Sequence, residues 1–205
     1  MTTEDSEARY RLPRTVMPRR YELVLEPDLA AGSFAGSEDV VVTVTETVNE
    51  IVLNAVDLEI TDGSLQAAEG RLIEVAGVRL DPDTERAHLE LGGDAEPGEW
   101  TLHLDFRGEL NDKLVGFYRS TYEGPDGGTE VIATTHFEAT DARRAFPSWD
   151  EPDLKAVFGV TLVVAPDLTA LSNGPPSMTA ACGSCSRTPC RCPRTSSRSS
   201  SVTSS

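Results

Sequence analysis

Apolar and polar side chains alternate along many short segments of this chain, which is the pattern of half-buried β-strands. Within residues 21–25, Tyr21, Leu23 and Leu25 share one face, and residues 40–44 are rich in β-branched side chains. The same pattern predicts five further strands, over residues 51–53, 87–91, 100–106, 130–134 and 157–164.

Turn-forming residues separate the predicted strands. Turns are predicted at residues 92–94 (Gly-Gly-Asp), at Pro97-Gly98 and over residues 124–128 (Gly-Pro-Asp-Gly-Gly). Many short strands with frequent turns favour an all-β fold, an antiparallel β-sandwich. No segment predicts a helix longer than two turns, and no internal repeat is present.

Composition limits the partners of this fold. The hydrophobic content of 39% is enough for a real core, while 34 acidic against 18 basic residues give a net charge of −16. Such a charge repels nucleic-acid phosphates and anionic lipids, so neither nucleic acid nor a membrane is an expected partner. No apolar run reaches the roughly 20 residues of a membrane-spanning helix, and the N-terminus is acidic, so we expect a cytoplasmic protein.

The chain changes character near residue 177. No acidic residue follows Asp167, and the last part of the chain is rich in Ser, Thr and Pro with few large apolar side chains. Such a segment cannot offset the entropy lost on ordering. The sequence therefore predicts a flexible N-terminus over residues 1–10, one folded domain over residues 11–176 and a disordered tail over residues 177–205.

The four cysteines all lie in the predicted tail, at Cys182, Cys185, Cys190 and Cys192. The first two have the spacing of a zinc-binding pair, but the second two are closer together than such pairs usually are. Because no ordered segment frames either pair, we predict no metal site in this chain.

The histidines and serines supply no complete catalytic apparatus. The chain has three histidines, His88, His103 and His136, and they form no His-Glu-x-x-His helix. His88 and His103 lie in strand patterns and are expected to face solvent. No serine stands in a Gly-x-Ser-x-Gly elbow.

A dense group of charges surrounds the aromatic stretch at residues 146–149. Its members are Asp141, Arg143, Arg144, Asp150, Glu151 and Asp153. Paired charges of this kind are commonly structural, so we expect carboxylates and guanidiniums to pair and to fix a long loop against the sheet.

Residues 135–156, Thr-His-Phe-Glu-Ala-Thr-Asp-Ala-Arg-Arg-Ala-Phe-Pro-Ser-Trp-Asp-Glu-Pro-Asp-Leu-Lys-Ala, are called the signature segment below. They resemble the signature of the aminopeptidase N and puromycin-sensitive aminopeptidase family, the gluzincin metallo-aminopeptidases. Residues 12–25 resemble the opening strand of that family, residues 114–122 its hairpin and residues 170–174 a strand end.

The resemblance implies a saddle-like N-terminal β-sandwich that covers one side of the active-site cleft of a zinc aminopeptidase. Glu138 matches the glutamate that binds the free α-amino group of the peptide. His136 stands where the family usually has glutamine, a residue that lines the pocket for the first side chain. A neutral imidazole still donates one hydrogen bond, and its protonation near neutral pH would alter substrate preference.

The family's Gly-Ala-Met-Glu-Asn loop and His-Glu-x-x-His helix are absent from the sequence. This chain is therefore expected to bind no zinc and, alone, to hydrolyse no peptides. Whether it serves an enzyme stays open, because a stand-alone β-sandwich that binds peptide N-termini, or a purely structural module, is the alternative. The oligomeric state is also open.

Residues 177–205 have a simple interpretation as out-of-frame translation. Back-translated with GC-rich codons and read two bases later, residues 193–204 give an apolar segment that resembles the family's next strand. Resequencing of the gene tests this hypothesis.

Overall fold

The computed structural model describes residues 11–174, which form ten β-strands and one short 3-10 helix. The strands are β1 (Val16–Asp28), β2 (Ser33–Val44), β3 (Val48–Asn54), β4 (Leu58–Ala67), β5 (Leu72–Asp81), β6 (Arg86–Ala95), β7 (Gly98–Glu109), β8 (Gly116–Glu123), β9 (Thr129–His136) and β10 (Val157–Leu162). The 3-10 helix is Ala142–Arg144. The all-β prediction is confirmed, and no helix in this part of the chain could cross a membrane.

Eight strands form one curled sheet in the order β10-β1-β2-β7-β4-β5-β6-β3, and β8 pairs with β9 in a separate hairpin. Neighbouring strands are antiparallel except β1 and β10, which are parallel. Strand β5 joins the two halves of the sheet, because its first residues pair with β4 and its later residues pair with β6. The curl brings the inner faces of both halves into one hydrophobic core.

The core follows from the alternation of apolar residues along the strands. Val40 and Val42 of β2 and Leu102 and Leu104 of β7 are fully buried side by side. Burying a side chain of this size stabilises a fold by about 1.5–3 kcal/mol relative to leaving it exposed. One buried position breaks the pattern, since Glu38 lies on the inward face of β2.

All seven segments predicted as strands coincide with strands, although the last of them runs two residues beyond the end of β10 at Leu162. The alternation did not predict β4, β5 or β8; residues 114–122, which contain most of β8, were matched only to the hairpin of the family. In β4 the register shifts between Ile60 and Asp62, so the period-two alternation is interrupted. In β5 a similar shift lies between Val75 and Gly77, and most of its side chains are at least partly exposed. Without a continuous apolar face, neither segment carries the usual strand signal.

The predicted turn at residues 92–94 is wrong. These residues continue β6, and the chain reverses only at Pro97, before β7 begins at Gly98. A Cβ atom at Gly92 would lie 3.3 Å from the carbonyl oxygen of Glu74. Position 92 therefore favours glycine because β6 passes close to the β5 backbone there, and not because the chain turns.

The other turn predictions are confirmed at Pro97-Gly98 and at residues 124–128, which connect β8 to β9. The predictions for residues 1–10 and for residues 177–205, including those for the four cysteines, lie outside the described part of the chain.

Candidate functional site

The two predicted site residues lie at the base of the β8–β9 hairpin. His136 is the last residue of β9 and is paired across the hairpin with Gly116. Glu138 follows two residues later in a turn, and the peptide bond between Glu138 and Ala139 is cis. The hairpin and the start of the signature segment thus place both side chains at one end of the two-stranded sheet.

Both side chains are exposed. Among the described residues, neither the His136 ring nor the Glu138 carboxylate has a hydrogen-bond or ion-pair partner. The neighbouring carboxylates of the signature segment differ, because Asp141, Asp150 and Glu151 are all paired with arginines. Glu138 is therefore available for a cation from solution.

Phe137, between the two site residues, anchors this turn. Its ring meets that of Phe146 edge-on, with centroids 6.0 Å apart. Phe146 in turn contacts Tyr21 and Phe158, whose rings stack at 4.7 Å. Aromatic pairs in such geometries add about 0.5–1.5 kcal/mol beyond their buried area. The cluster ties the turn to β1 and β10.

The contacts of Arg143 confirm the predicted structural role of the charge cluster. Its Nε donates to Asp150 Oδ2 at 3.0 Å and its Nη1 to Glu85 Oε2 at 2.8 Å. The Arg143 side chain is only 11% exposed, so these contacts are charge-assisted bonds in a largely desolvated place. Glu85 lies in the loop between β5 and β6, and no local pattern marks it as a partner.

Arg144 contacts two further carboxylates, and its Nη2 also lies 3.9 Å from Glu85 Oε1. Its Nε donates to Asp141 Oδ1 at 3.0 Å and its Nη1 to Asp57 Oδ2 at 2.6 Å. Asp57 and Glu85 both have left-handed backbones, with φ of 56° and 55°. Non-glycine residues adopt this conformation uncommonly, and sequence analysis missed both.

The end of the signature segment is fixed by arginines near the start of the described chain. Arg14 donates to Glu151 Oε2 at 2.9 Å and to Asp153 Oδ2 at 2.8 Å. Glu151 also accepts the backbone N–H of Leu12. The predicted pairing is again confirmed, but the partners come from outside the cluster.

Backbone hydrogen bonds complete the attachment of the segment to the sheet. Asn54, at the end of β3, and Ser148 exchange two backbone hydrogen bonds of 2.7 and 2.9 Å. The backbone N–H of Trp149 donates to the Tyr21 hydroxyl at 3.2 Å. Burial, and then the nearby Glu38, raises the pKa of Tyr21 well above its usual value, so the hydroxyl stays neutral.

Glu38 is a buried carboxyl with no hydrogen-bond partner for either oxygen among the described residues. Burial raises its pKa well above the usual range, and the neighbouring Asp39 raises it further. Glu38 is buried on the inward face of β2, whereas the Glu138 side chain is exposed.

The remaining histidines lie on strands, away from the core face, as predicted. His88 contacts Glu50 at 3.1 Å, and His103 contacts Asp39 at 2.8 Å. The hydrogen bond that the His103 ring donates to the Asp39 carboxylate raises the pKa of His103, against the opposing effect of partial burial, and Asp105 adds to the rise. Both histidines thus pair with carboxylates of neighbouring strands.

Within residues 11–174 no group of three or more His, Cys, Asp or Glu side chains is arranged to hold a metal ion. A groove of about 510 Å³ lies over β3, β5 and β6 and includes His88, but it contains neither His136 nor Glu138. The exposed turn at Glu138 therefore remains the candidate site.

Comparison with known proteins gives a consistent result. Residues 17–188 match a family model described as the peptidase M1 N-terminal domain. Aminopeptidase M1-C of Oryza sativa subsp. japonica is 49% identical over 165 residues, which are 80% of this chain and 18% of that protein. Aminopeptidase M1 of Arabidopsis thaliana is 44% identical over 168 residues, 80% of this chain and 19% of that protein. Aminopeptidase N of Bos taurus is 40% identical over 181 residues, 82% of this chain and 18% of that protein. The chain thus spans less than a fifth of the length of these relatives.

Proposed function

The chain belongs to the family of peptidase M1 N-terminal domains, and from that membership we propose that it is the substrate-capping domain of a zinc aminopeptidase, which removes N-terminal residues from peptides. In this proposal Glu138 binds the free α-amino group of the peptide, and His136 lines the pocket for its first side chain. The observation that carries the proposal is the free, exposed carboxylate of Glu138 in a signature segment whose other carboxylates near it are paired.

The chemistry of Glu138 suits an ammonium ligand. A carboxylate accepts charge-assisted hydrogen bonds from a primary ammonium, and these are roughly twice as strong as bonds between neutral groups. An acetylated N-terminus carries no such charge, so the same contact selects peptides with a free N-terminus.

His136 supplies a flat face and two ring nitrogens to the proposed pocket. In the neutral form of an imidazole, one nitrogen is an N–H donor and the other is an acceptor. Because the ring lies at the end of β9, two residues before Glu138, it would face the first side chain of a peptide whose ammonium binds Glu138.

Zinc and the hydrolytic step belong, in this proposal, to the catalytic part of the whole enzyme. The described residues do not form a metal site. The domain alone would therefore contribute recognition of the N-terminus and no bond cleavage.

The test joins residues 1–176 in frame to the remaining part of the rice Aminopeptidase M1-C and measures kcat/KM on aminoacyl substrates. We expect Glu138→Ala to lower kcat/KM about 10- to 100-fold, as for the loss of one charge-assisted bond. Glu123→Gln is the control, because that exposed carboxylate lies at the opposite end of the same hairpin. Wild-type kcat/KM in Glu138→Ala would remove the assigned role.

Calorimetry separates the capping role from a stand-alone peptide-binding module. The chain is titrated with a free-amine dipeptide and with its acetylated analogue. We expect negligible heat from both, because one carboxylate without the rest of a cleft does not offset the entropy of association. Strong heat from the free amine alone would favour the stand-alone module.

A further inference from the structure

We propose that Arg144 is a positioning residue for His136 and Glu138, and that it acts through Gly116 and Asp141. The consequence for substrate binding rests on the proposed function, whereas the positioning itself concerns only this chain. Arg144 lies in the 3-10 helix, six residues after Glu138 in sequence, and it contacts the hairpin and the sheet at once.

The first contact joins Arg144 to the hairpin. Gly116 is the cross-strand partner of His136 and has a φ of 68°. A Cβ atom at position 116 would lie 2.6 Å from the Arg144 Cβ and 3.3 Å from the carbonyl oxygen of Asp141. The stem of Arg144 therefore lies directly against the backbone opposite His136, a place that only glycine leaves open.

The second contact joins Arg144 to the turn that carries Glu138. Its Nε donates to the Asp141 carboxylate at 3.0 Å, and the Asp141 N–H donates to the Phe137 carbonyl at 3.0 Å. Phe137 lies between His136 and Glu138 in sequence. Arg144, Asp141 and Phe137 thus form a continuous path to both site residues.

The third contact fixes Arg144 to the curled sheet. Its Nη1 donates to Asp57 at 2.6 Å, and Asp57 lies in the loop between β3 and β4. The residue before it, Val56, donates its backbone N–H to the Arg143 carbonyl at 2.9 Å. The loop therefore holds both the backbone and the side chain of the Arg143–Arg144 pair.

An arginine is needed because the two carboxylates lie in different directions from the side chain. The planar guanidinium offers donors toward Asp141 and Asp57 together, whereas a lysine ammonium is a single point of charge. Loss of either contact would free the turn between Phe137 and Asp141. A mobile turn would bind a ligand less tightly, because ordering it costs conformational entropy.

The experiment is NMR spectroscopy of the intact 205-residue chain without peptide. It records the backbone amides of residues 136–138, the His136 ring signals and the exchange rate of the Asp141 amide. Four variants are compared with the wild type: Arg144→Met, Arg144→Lys, Asp57→Asn and Gly116→Ala. The control is Arg107→Met, which breaks an exposed ion pair with Glu59 on β7 and β4.

We expect Arg144→Met, Asp57→Asn and Gly116→Ala to shift the signals of residues 136–138 and to speed exchange of the Asp141 amide about tenfold. Arg144→Lys should restore part of the wild-type pattern, and Arg107→Met should leave all of it unchanged. If one of the other variants unfolds the chain, Asp57→Asn still tests the positioning role. The Asp57 side chain is 70% exposed, and asparagine tolerates a left-handed backbone, so this substitution should leave the fold intact.

The positioning role would be overturned if the signals of residues 136–138 in Asp57→Asn matched those of the wild type. It would also be overturned if Arg107→Met moved these signals as much as Asp57→Asn does. No ligand enters this measurement. A failure of the proposed function instead appears as unchanged kcat/KM in Glu138→Ala, so the two failures are distinguishable.

Discussion

The Tyr21 hydroxyl accepts a 3.2 Å hydrogen bond from the backbone N–H of Trp149, and so joins the middle of β1 to the signature segment. The same ring stacks on Phe158 of β10 and meets Phe146 edge-on. One buried side chain therefore connects two strands to the segment that carries the candidate site.

Tyr21→Phe should lower the free energy of unfolding by about 1–2 kcal/mol, because it leaves the buried Trp149 N–H without its acceptor while the ring stacking remains. Urea denaturation measures the change. Tyr122→Phe is the control, since that side chain is 46% exposed and the loss of its hydroxyl should leave the denaturation midpoint close to that of the wild type. Equal denaturation midpoints for Tyr21→Phe and wild type would contradict the prediction.

Glu38→Leu should raise stability, and the gain should grow with pH. Burial raises the pKa of Glu38 above its ordinary value of 4.5, so above that pH the folded state holds a proton that the unfolded state has released. Stability due to this group is therefore complete at acid pH and falls as pH rises toward the folded pKa, by about 1.4 kcal/mol per pH unit. Urea denaturation between about pH 5 and pH 8 compares the two slopes. If the free energy of unfolding falls with pH at the same slope in Glu38→Leu and in the wild type, the pKa of Glu38 is not the cause of that fall.

His103 should stabilise the fold at low pH. Its pKa is raised by the hydrogen bond with Asp39, so its contribution is present below pH 6.5, the ordinary value, and is lost as pH rises through the folded pKa. NMR titration should place the His103 transition higher in the folded chain than in urea. Asp39→Asn should move that transition down. If the His103 transition stays at the same pH in Asp39→Asn, Asp39 is not the cause of the raised pKa of His103.

Arg143→Met should destabilise the domain by about 2–4 kcal/mol, because it leaves Asp150 without its arginine, and Glu85 with only the 3.9 Å contact to Arg144, in a place where the Arg143 side chain is 11% exposed. Chemical denaturation gives the value. Arg107→Met removes a bidentate pair whose side chains are both at least 60% exposed, and should leave the denaturation midpoint close to that of the wild type. Similar losses in the two variants would mean that burial does not set the strength of the Arg143 contacts.

Local alternation was enough to predict most of the fold. Strands such as β2 and β7 repeat apolar residues at every second position, and that period depends only on the extended backbone. Strand β4 failed the same test because the register shift after Ile60 moves later side chains to the other face. A bulge of this kind is set by the neighbouring strand, so the isolated segment does not show it.

The candidate site was predicted by resemblance, and its supports were not. Glu138 and His136 stand in a recognisable motif, and the structure shows both exposed at the end of one hairpin. Arg143 binds Glu85, 58 residues away, and Arg144 binds Asp57, 87 residues away. Such separations carry no local signal, because partners so far apart in sequence meet only after the sheet has curled.

The sequence by itself determined the β class, the position of most strands and the existence of a charged segment that pairs within the protein. Those features depend on period-two alternation and on the chemistry of adjacent residues. Only the tertiary structure decided that Glu38 points into the core, that Gly116 lies beneath Arg144 and that loops with left-handed residues supply Asp57 and Glu85. These features follow from strand register and loop closure, which are properties of the whole folded chain and not of any one segment.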